Sequence, residues 1–388
     1  MIVDELRAEA SGGEVERSAR LRWDGGEFRL RVTVPAELAP RHPDASPFVC
    51  TCLLLAMRLS EDLDVRGPVS EPLLASARRI VDLYASWDPR LYRTRVRAER
   101  ASEPAPRAAG IGAFVSRGVD SLYTAAVPRA LPGPLTHLVF CDHLEPKHSA
   151  ATRAAEIEES RAAAGLLGLP LVVIDSNVRE LTDPLVGDWE DMVGGALAML
   201  ATAMPGGFGH VVIPSSDGPA TIGPCGTSPL LDPLFSTAEV EVVHDAPQTR
   251  TAKVEWLARE RPGLLPHLKV CFEEDRPDNC GRCSKCVVTM LALEAAGALR
   301  AASGFPPAVD LDALAKLKPG FVNERVEFEA IEQALRARGD YELADAVRAA
   351  LDRGAAVDPA RIVITGRTPD FRKRASRHAR LVMGGPPG

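Results

Sequence analysis

From Ile111 onward the sequence alternates short Val/Ile/Leu-rich runs with helix-length stretches, and no other feature constrains the fold as much. IGAFV (111–115), HLVFCDH (137–143), LPLVVIDSN (169–177), GHVVIPSS (209–216) and VEVVHD (240–245) have the length and β-branched content of strands. VDSLYTAAVPRAL, SAATRAAEIEESRAAAGLLG (149–168), WEDMVGGALAMLATAM (189–204) and QTRTAKVEWLARE carry helical spacing between or after them. Continuous apolar strands joined by helices are buried on both faces, so the pattern predicts an α/β fold built on a parallel sheet. Ligands of such sheets sit at the carboxyl ends of the strands.

The flanking regions read differently. Residues 1–98 are expected to form an α+β module: LRWDGGEFRLRVTV alternates about Gly25-Gly26 as a hairpin does, and SEPLLASARRIVDLYASW has helical spacing. ERASEPAPRAAG (99–110) reads as a linker. Residues 301–388 read as a C-terminal helical region, with one or two helices over 323–353 and a basic tail that holds seven Arg/Lys between Arg361 and Arg380. The tail is expected to be a solvated end, with nucleic-acid contact as the sharper alternative. Both flanks are candidates for substrate recognition or for self-association, as in a homodimer.

The totals bound the function. A chain of 388 residues implies two or three domains, and 46% hydrophobic with 26% charged residues excludes extensive disorder. The net charge of -7 excludes a broadly basic nucleic-acid coat. Asp4, Glu5, Arg7 and Glu9 interrupt any leader-like start, and no run approaches the ~20 apolar residues of a membrane helix. A cytoplasmic location without membrane contact is expected, and with it reduced cysteines.

Four of the eight cysteines fall in CFEEDRPDNCGRCSKC, with the spacing C-x8-C-x2-C-x2-C through Cys271, Cys280, Cys283 and Cys286. Four thiolates make a full tetrahedral set for Zn²⁺ and leave no position for a catalytic water, which predicts a structural site. An iron–sulfur cluster and a redox CxxC pair are the alternatives. Cys50 and Cys52 lie in an apolar run and read as core. Cys225, in IGPCGTSP, reads as incidental, although its loop is expected near the strand ends.

After the first strand of the alternating region comes FVSRGVDSLY, residues 114–123. Glycine permits close backbone approach, hydroxyls donate, and a helix N-terminus offers free N–H groups and a positive dipole end, which together suit a phosphate. Asp120 accepts rather than donates, so its functional reading is as a Mg²⁺ ligand beside the phosphates. The plainer reading is a helix entry in which Ser116 or Asp120 is a cap. The GxxxxGK[ST] spacing of a Walker A loop is absent.

The motif resembles the SGGxDS of PP-loop ATP pyrophosphatases, and VFCDHLEPKHSAATRAAEIEESRAAAGLLGLPLVVID with the CGxCxxC loop resembles the 7-cyano-7-deazaguanine synthase branch over about residues 111–300. The resemblance implies a HUP-type nucleotide-binding domain with a zinc loop, and ATP, Mg²⁺ and Zn²⁺ as cofactors. It places the phosphates on Ser116, Arg117, Gly118, Val119, Asp120 and Ser121, and adenine beside Phe140, Cys141 and Asp142, mostly through backbone. It also implies a ligase that forms AMP and pyrophosphate by adenylating a carboxylate or amide oxygen for attack by ammonia, an amine or another nucleophile. The acceptor would be a small molecule or a partner-protein terminus. A tRNA or nucleotide sulfur transferase and a nucleotide-binding module without turnover are the competing readings. Arg117 stands where the family usually has glycine, and Thr289 where it has arginine; the family's YPDCR-type substrate segment has no counterpart here.

The segment SSDGPATIGPCGTSPLLDPLFST (215–237) is long enough to be functional, and Asp217, Thr227, Ser228 and Asp232 are its candidate substrate contacts. A surface excursion anchored by LLDPLF is the alternative. Arg250 and Lys253, at the next helix start, join Asp120 as candidate catalytic residues, with His244 just before them. His143, Glu145, Lys147 and His148 are expected to rim the nucleotide side rather than to bind metal.

Overall fold

The computed structural model describes residues 1–354 apart from 41–43, 101–104, 129–130, 187–188, 217, 220–221, 223–224, 246 and 272. The basic tail and Asp217 therefore lie outside the described residues. The first hundred residues give β1 (Ile2–Ser11), β2 (Glu14–Trp23), β3 (Gly26–Pro35), α1 (Ser46–Leu59), β4 (Leu63–Val69), α2 (Glu71–Trp87) and β5 (Val96–Arg100). The alternating region gives β6 (Gly110–Phe114), α3 (Val119–Ala126), β7 (His137–Asp142), α4 (Ala150–Leu166), β8 (Leu171–Ser176), α5 (Val178–Val186), α6 (Trp189–Thr202), β9 (Phe208–Ile213), β10 (Glu241–His244) and α7 (Arg250–Glu260). Then follow α8 (Ser284–Ala295), α9 (Leu311–Lys316), α10 (Val322–Ala337) and α11 (Tyr341–Gly354).

The ten strands of the described residues form one sheet in the order β10-β9-β6-β7-β8-β3-β2-β1-β4-β5. The five strands read from the alternating pattern pair in parallel, as that pattern requires. Numbered within their own region they run 3-2-1-4-5, a doubly wound order whose switch point lies between β6 and β9.

The first hundred residues do not stand apart as a module behind a linker. β3 pairs antiparallel with β8 at Val32↔Ser176 and Thr33↔Asp175, and so extends the parallel sheet with a hairpin. Arg31 and Asn177 fasten that seam: Asn177 Oδ1 accepts from the Arg31 N–H at 2.9 Å, and its Nδ2 donates to the Arg29 carbonyl at 3.0 Å. One hydrophobic core runs from α1 and α2 to α6 and β9 on one face, and a second joins α3, α7, α8, α10 and α11 on the other. The Gly194-Gly195 pair of α6 permits this closeness. A Cβ on Gly195 would lie 2.8 Å from the Cys50 carbonyl oxygen of α1, and one on Gly194 would lie 1.9 Å from the Gly226 carbonyl oxygen. Cys50 and Cys52 are buried in α1, as an apolar run implies.

Among the described residues no helix is long and apolar enough to cross a membrane.

Candidate functional site

β6 ends at Phe114, and the chain leaves the sheet through Val115–Gly118 before α3 begins. The turn closes on itself, because Ser121 Oγ accepts from the Ser116 N–H at 3.1 Å and donates to the Gly118 carbonyl at 3.1 Å. Arg117 has φ 60°, in the left-handed region that favours glycine. Its side chain is turned inward and only 3% of the residue is exposed. Burial lowers its pKa, and the carboxylates that oppose this effect are Glu156 and Glu159 of α4. The backbone of Arg117 thus shapes the turn while its guanidinium sits behind it. The first N–H groups of α3, on Val119, Asp120 and Ser121, have no acceptor within the helix.

Asp120 joins three segments. Its Oδ1 accepts from Lys253 Nζ at 2.7 Å and its Oδ2 from Arg250 Nη2 at 3.1 Å. Lys253 is 1% exposed and also donates to the Ser215 carbonyl at 2.5 Å, just beyond β9. Desolvation works against the Asp120 charge, but Arg250 and Lys253 outweigh it and hold the carboxyl below its ordinary range. The predicted trio Asp120, Arg250 and Lys253 is therefore assembled in space, at the carboxyl ends of β6 and β9.

The start of α7 is capped twice. Thr249 Oγ1 accepts from the Ala252 N–H at 3.2 Å. The Glu327 carboxylate of α10 accepts from the Arg250 N–H at 2.5 Å, and from the Thr251 N–H and hydroxyl at 2.9 Å each. Lys285, in the first turn of α8, has a solvent-accessible side chain. Neighbouring groups still desolvate it, and with Arg250 nearby its pKa is lowered, while Glu190, Glu145 and Asp120 pull the other way. Neither Glu327 nor Lys285 was foreseen from sequence, because only the docking of α10 and of the cysteine loop brings them here.

The sulfurs of Cys271, Cys280, Cys283 and Cys286 lie within 4.8 Å of one another and can hold a metal such as zinc. Cys280 Sγ stands 3.8 Å from Cys286 Sγ. A tetrahedron with Zn–S of about 2.3 Å has edges of about that length. Cys280 Sγ also accepts N–H bonds from Arg282 at 3.4 Å and Cys283 at 3.3 Å, as a cysteine sulfur in a tight turn can. Cys283, the N-cap of α8, is pulled down to about 5, chiefly by its contact with Cys286, which is raised in return. Asn279 locks the loop: its Oδ1 accepts from the Val270 N–H at 2.8 Å and the Cys271 N–H at 3.2 Å, and its Nδ2 donates to the carbonyls of Leu268 at 2.8 Å and Gly304 at 3.1 Å. Lys269 ties the loop to the turn, its N–H donating to the Arg117 carbonyl at 3.0 Å.

No family model, curated protein or solved structure matches the chain.

The remaining predicted residues are placed less uniformly. Phe140 and Cys141 are buried, on opposite faces of β7. Asp142 accepts from the His143 N–H at 2.8 Å and pairs with Arg153 at 2.9 Å. His143 faces Asp175, its Nδ1 lying 2.5 Å from Oδ1. Thr227, Ser228 and Asp232, expected to face substrate, turn toward one another. Thr227 Oγ1 donates to Asp232 Oδ2 at 2.6 Å, the Ser228 N–H donates to Oδ1 at 3.2 Å, and His244 Nδ1 lies 2.8 Å from Oδ2. Asp232 is fully buried, and a buried carboxylate needs every donor it can collect. That requirement, invisible in a polar loop sequence, makes these residues the anchor of the segment. Cys225 is half-buried beside the start of α6, its Sγ 3.8 Å from the Glu190 carbonyl oxygen.

Proposed function

We propose that the chain is an ATP-dependent enzyme that forms AMP and pyrophosphate, of the PP-loop type, with a HUP-like domain as its nucleotide site. The observation that carries this reading is the cluster of Lys253 and Arg250 on Asp120, set at the N-terminus of α3 beside the switch point of a doubly wound sheet. Two cations and the free N–H groups of a helix start form a donor set that fits a polyphosphate, with the Ser116 and Ser121 hydroxyls shaping the turn beside it.

Bound ATP would supply a phosphorus centre that activates a carboxylate or amide oxygen, with pyrophosphate as the leaving group. In this reading Lys253 and Arg250 bind and orient the anion, and a site of this kind acts by positioning and charge stabilisation. Ser116, Gly118, Val119 and Ser121 cradle the leaving pyrophosphate. Asp120 holds both cations in place and is the turn's carboxylate available to Mg²⁺. The base lies against the backbone of Phe140, Cys141 and Asp142 at the end of β7. The four cysteines hold Zn²⁺ as a structural clamp. The acceptor is a small molecule or the terminus of a partner protein, taken by ammonia or an amine.

Titration of Mg²⁺–ATP by calorimetry tests the binding step, and pyrophosphate release with candidate carboxylic acids tests turnover. Wild type is expected to bind in the micromolar to millimolar range, and Lys253→Met to bind at least about tenfold more weakly. Equal affinity in the two proteins would sink this reading, and release that requires RNA would select the sulfur-transferase class instead.

A further inference from the structure

The guanidinium of Arg117 has no part in the reading above. Its Nε and Nη2 are buried and find no hydrogen-bond partner among the described residues. These two nitrogens form the side-on edge of the guanidinium, whose parallel N–H bonds match two oxygens of a single oxyanion. A buried donor pair without an acceptor is costly to the fold. The residue is also held at φ 60°, which glycine would adopt without strain.

The charged groups near Arg117 are committed elsewhere. Glu156 Oε2 lies 3.1 Å from His148 Nδ1, and Glu159 Oε2 lies 2.8 Å from His267 Nδ1. Lys269 donates its ammonium to the carbonyls of Arg276 at 2.7 Å and Asp278 at 2.9 Å. His148, 4% exposed on the same Glu156, has a buried Nε2 that likewise lacks a partner among the described residues.

We propose that the Nε/Nη2 edge of Arg117 binds a phosphate-class oxyanion behind the turn, between α4 and the cysteine loop. The source is either free inorganic phosphate or pyrophosphate, or the polyphosphate of a nucleotide. The proposal does not depend on turnover or on the nucleotide reading.

Calorimetric titration of the metal-loaded full chain with inorganic phosphate, and separately with inorganic pyrophosphate, tests it. Wild type is expected to bind at least one of them. Arg117→Lys keeps the charge but not the fork, and should weaken binding by about tenfold or more. Arg117→Gly should lose the anion held on this edge, read as loss of the inorganic phosphate heat and a drop of about tenfold or more in pyrophosphate affinity, while its thermal midpoint without anion stays level or rises, because glycine relieves the backbone. A competition arm assigns the source: Mg²⁺–ATP that displaces the bound anion makes it part of the nucleotide, and independent binding makes it a free ion. No heat from either anion in wild type, or an Arg117→Gly affinity equal to wild type, overturns the proposal. If ATP does not bind at all while anion binding still depends on Arg117, the nucleotide reading fails and this one stands.

Discussion

Asp120 shows how one residue of the turn takes its role from partners about 130 residues away in sequence. Removing its charge leaves Lys253 buried without its anion, a change that costs about 3 kcal/mol or more. Asp120→Asn is therefore expected to lower the urea midpoint more than Lys253→Met does, since the latter leaves Asp120 paired with Arg250. The pH dependence follows from the depressed carboxyl. Its folded pKa lies below the ordinary 3.8, so its contribution to stability is complete above that value and is lost as pH falls through the folded pKa. Acid unfolding of Asp120→Asn should lack this part of the loss, which a comparison of unfolding free energies from neutral pH down to about pH 2 would reveal. The turn was legible in sequence as a Ser/Gly-rich helix entry with an arginine in it. That the arginine faces backward was not, because side-chain direction depends on what α4 and the cysteine loop leave open.

At the scale of elements, α7 carries the two cations that hold Asp120, and α10 fixes where α7 begins. The Glu327 carboxylate takes three donors there, two of them orphan N–H groups of the first turn. Glu327→Gln is expected to lower stability by about 2 kcal/mol and also to weaken Mg²⁺–ATP binding, since Arg250 loses the hold on its own backbone. Glu324→Gln is the control. Its carboxylate caps α10 itself, accepting from the N–H groups of Gly320 at 3.0 Å and Phe321 at 3.1 Å, so it should affect the melting temperature alone. Melting and calorimetric titration of both variants separate the two roles. Helical periodicity indicated α7 and the C-terminal helices readily. It carried no information on which helix caps which.

For the whole molecule, the cysteine loop and the turn form one connected unit through the Lys269–Arg117 backbone bond. Metal binding at four thiolates stabilises such loops by on the order of 10 kcal/mol in peptides. Chelation, or Cys286→Ser, is expected to raise hydrogen exchange in residues 268–286 and, through Lys269, in residues 115–121. Unchanged exchange in the turn after the metal is removed would show that the two are independent. Metal analysis of the purified chain should give one zinc per molecule. The N-terminal region belongs to the same body through the β3–β8 seam and the α1–α6 contact.

What the sequence by itself determined was local in origin. Strand and helix periods indicated the five parallel strands and their helices, the spacing of Cys271 to Cys286 indicated a four-cysteine cluster, and Ser116 to Ser121 indicated a turn that opens a helix. Each signal lies within a few residues, where backbone geometry and ligand spacing are set. Tertiary structure alone decided that the N-terminal hairpin continues the sheet, and that Glu327 and Lys285 reach the site. It also turned Thr227, Ser228 and Asp232 inward and Arg117 away from the helix start. These outcomes depend on which polar groups are buried together, and a buried charge takes its partners from wherever the packed chain brings them.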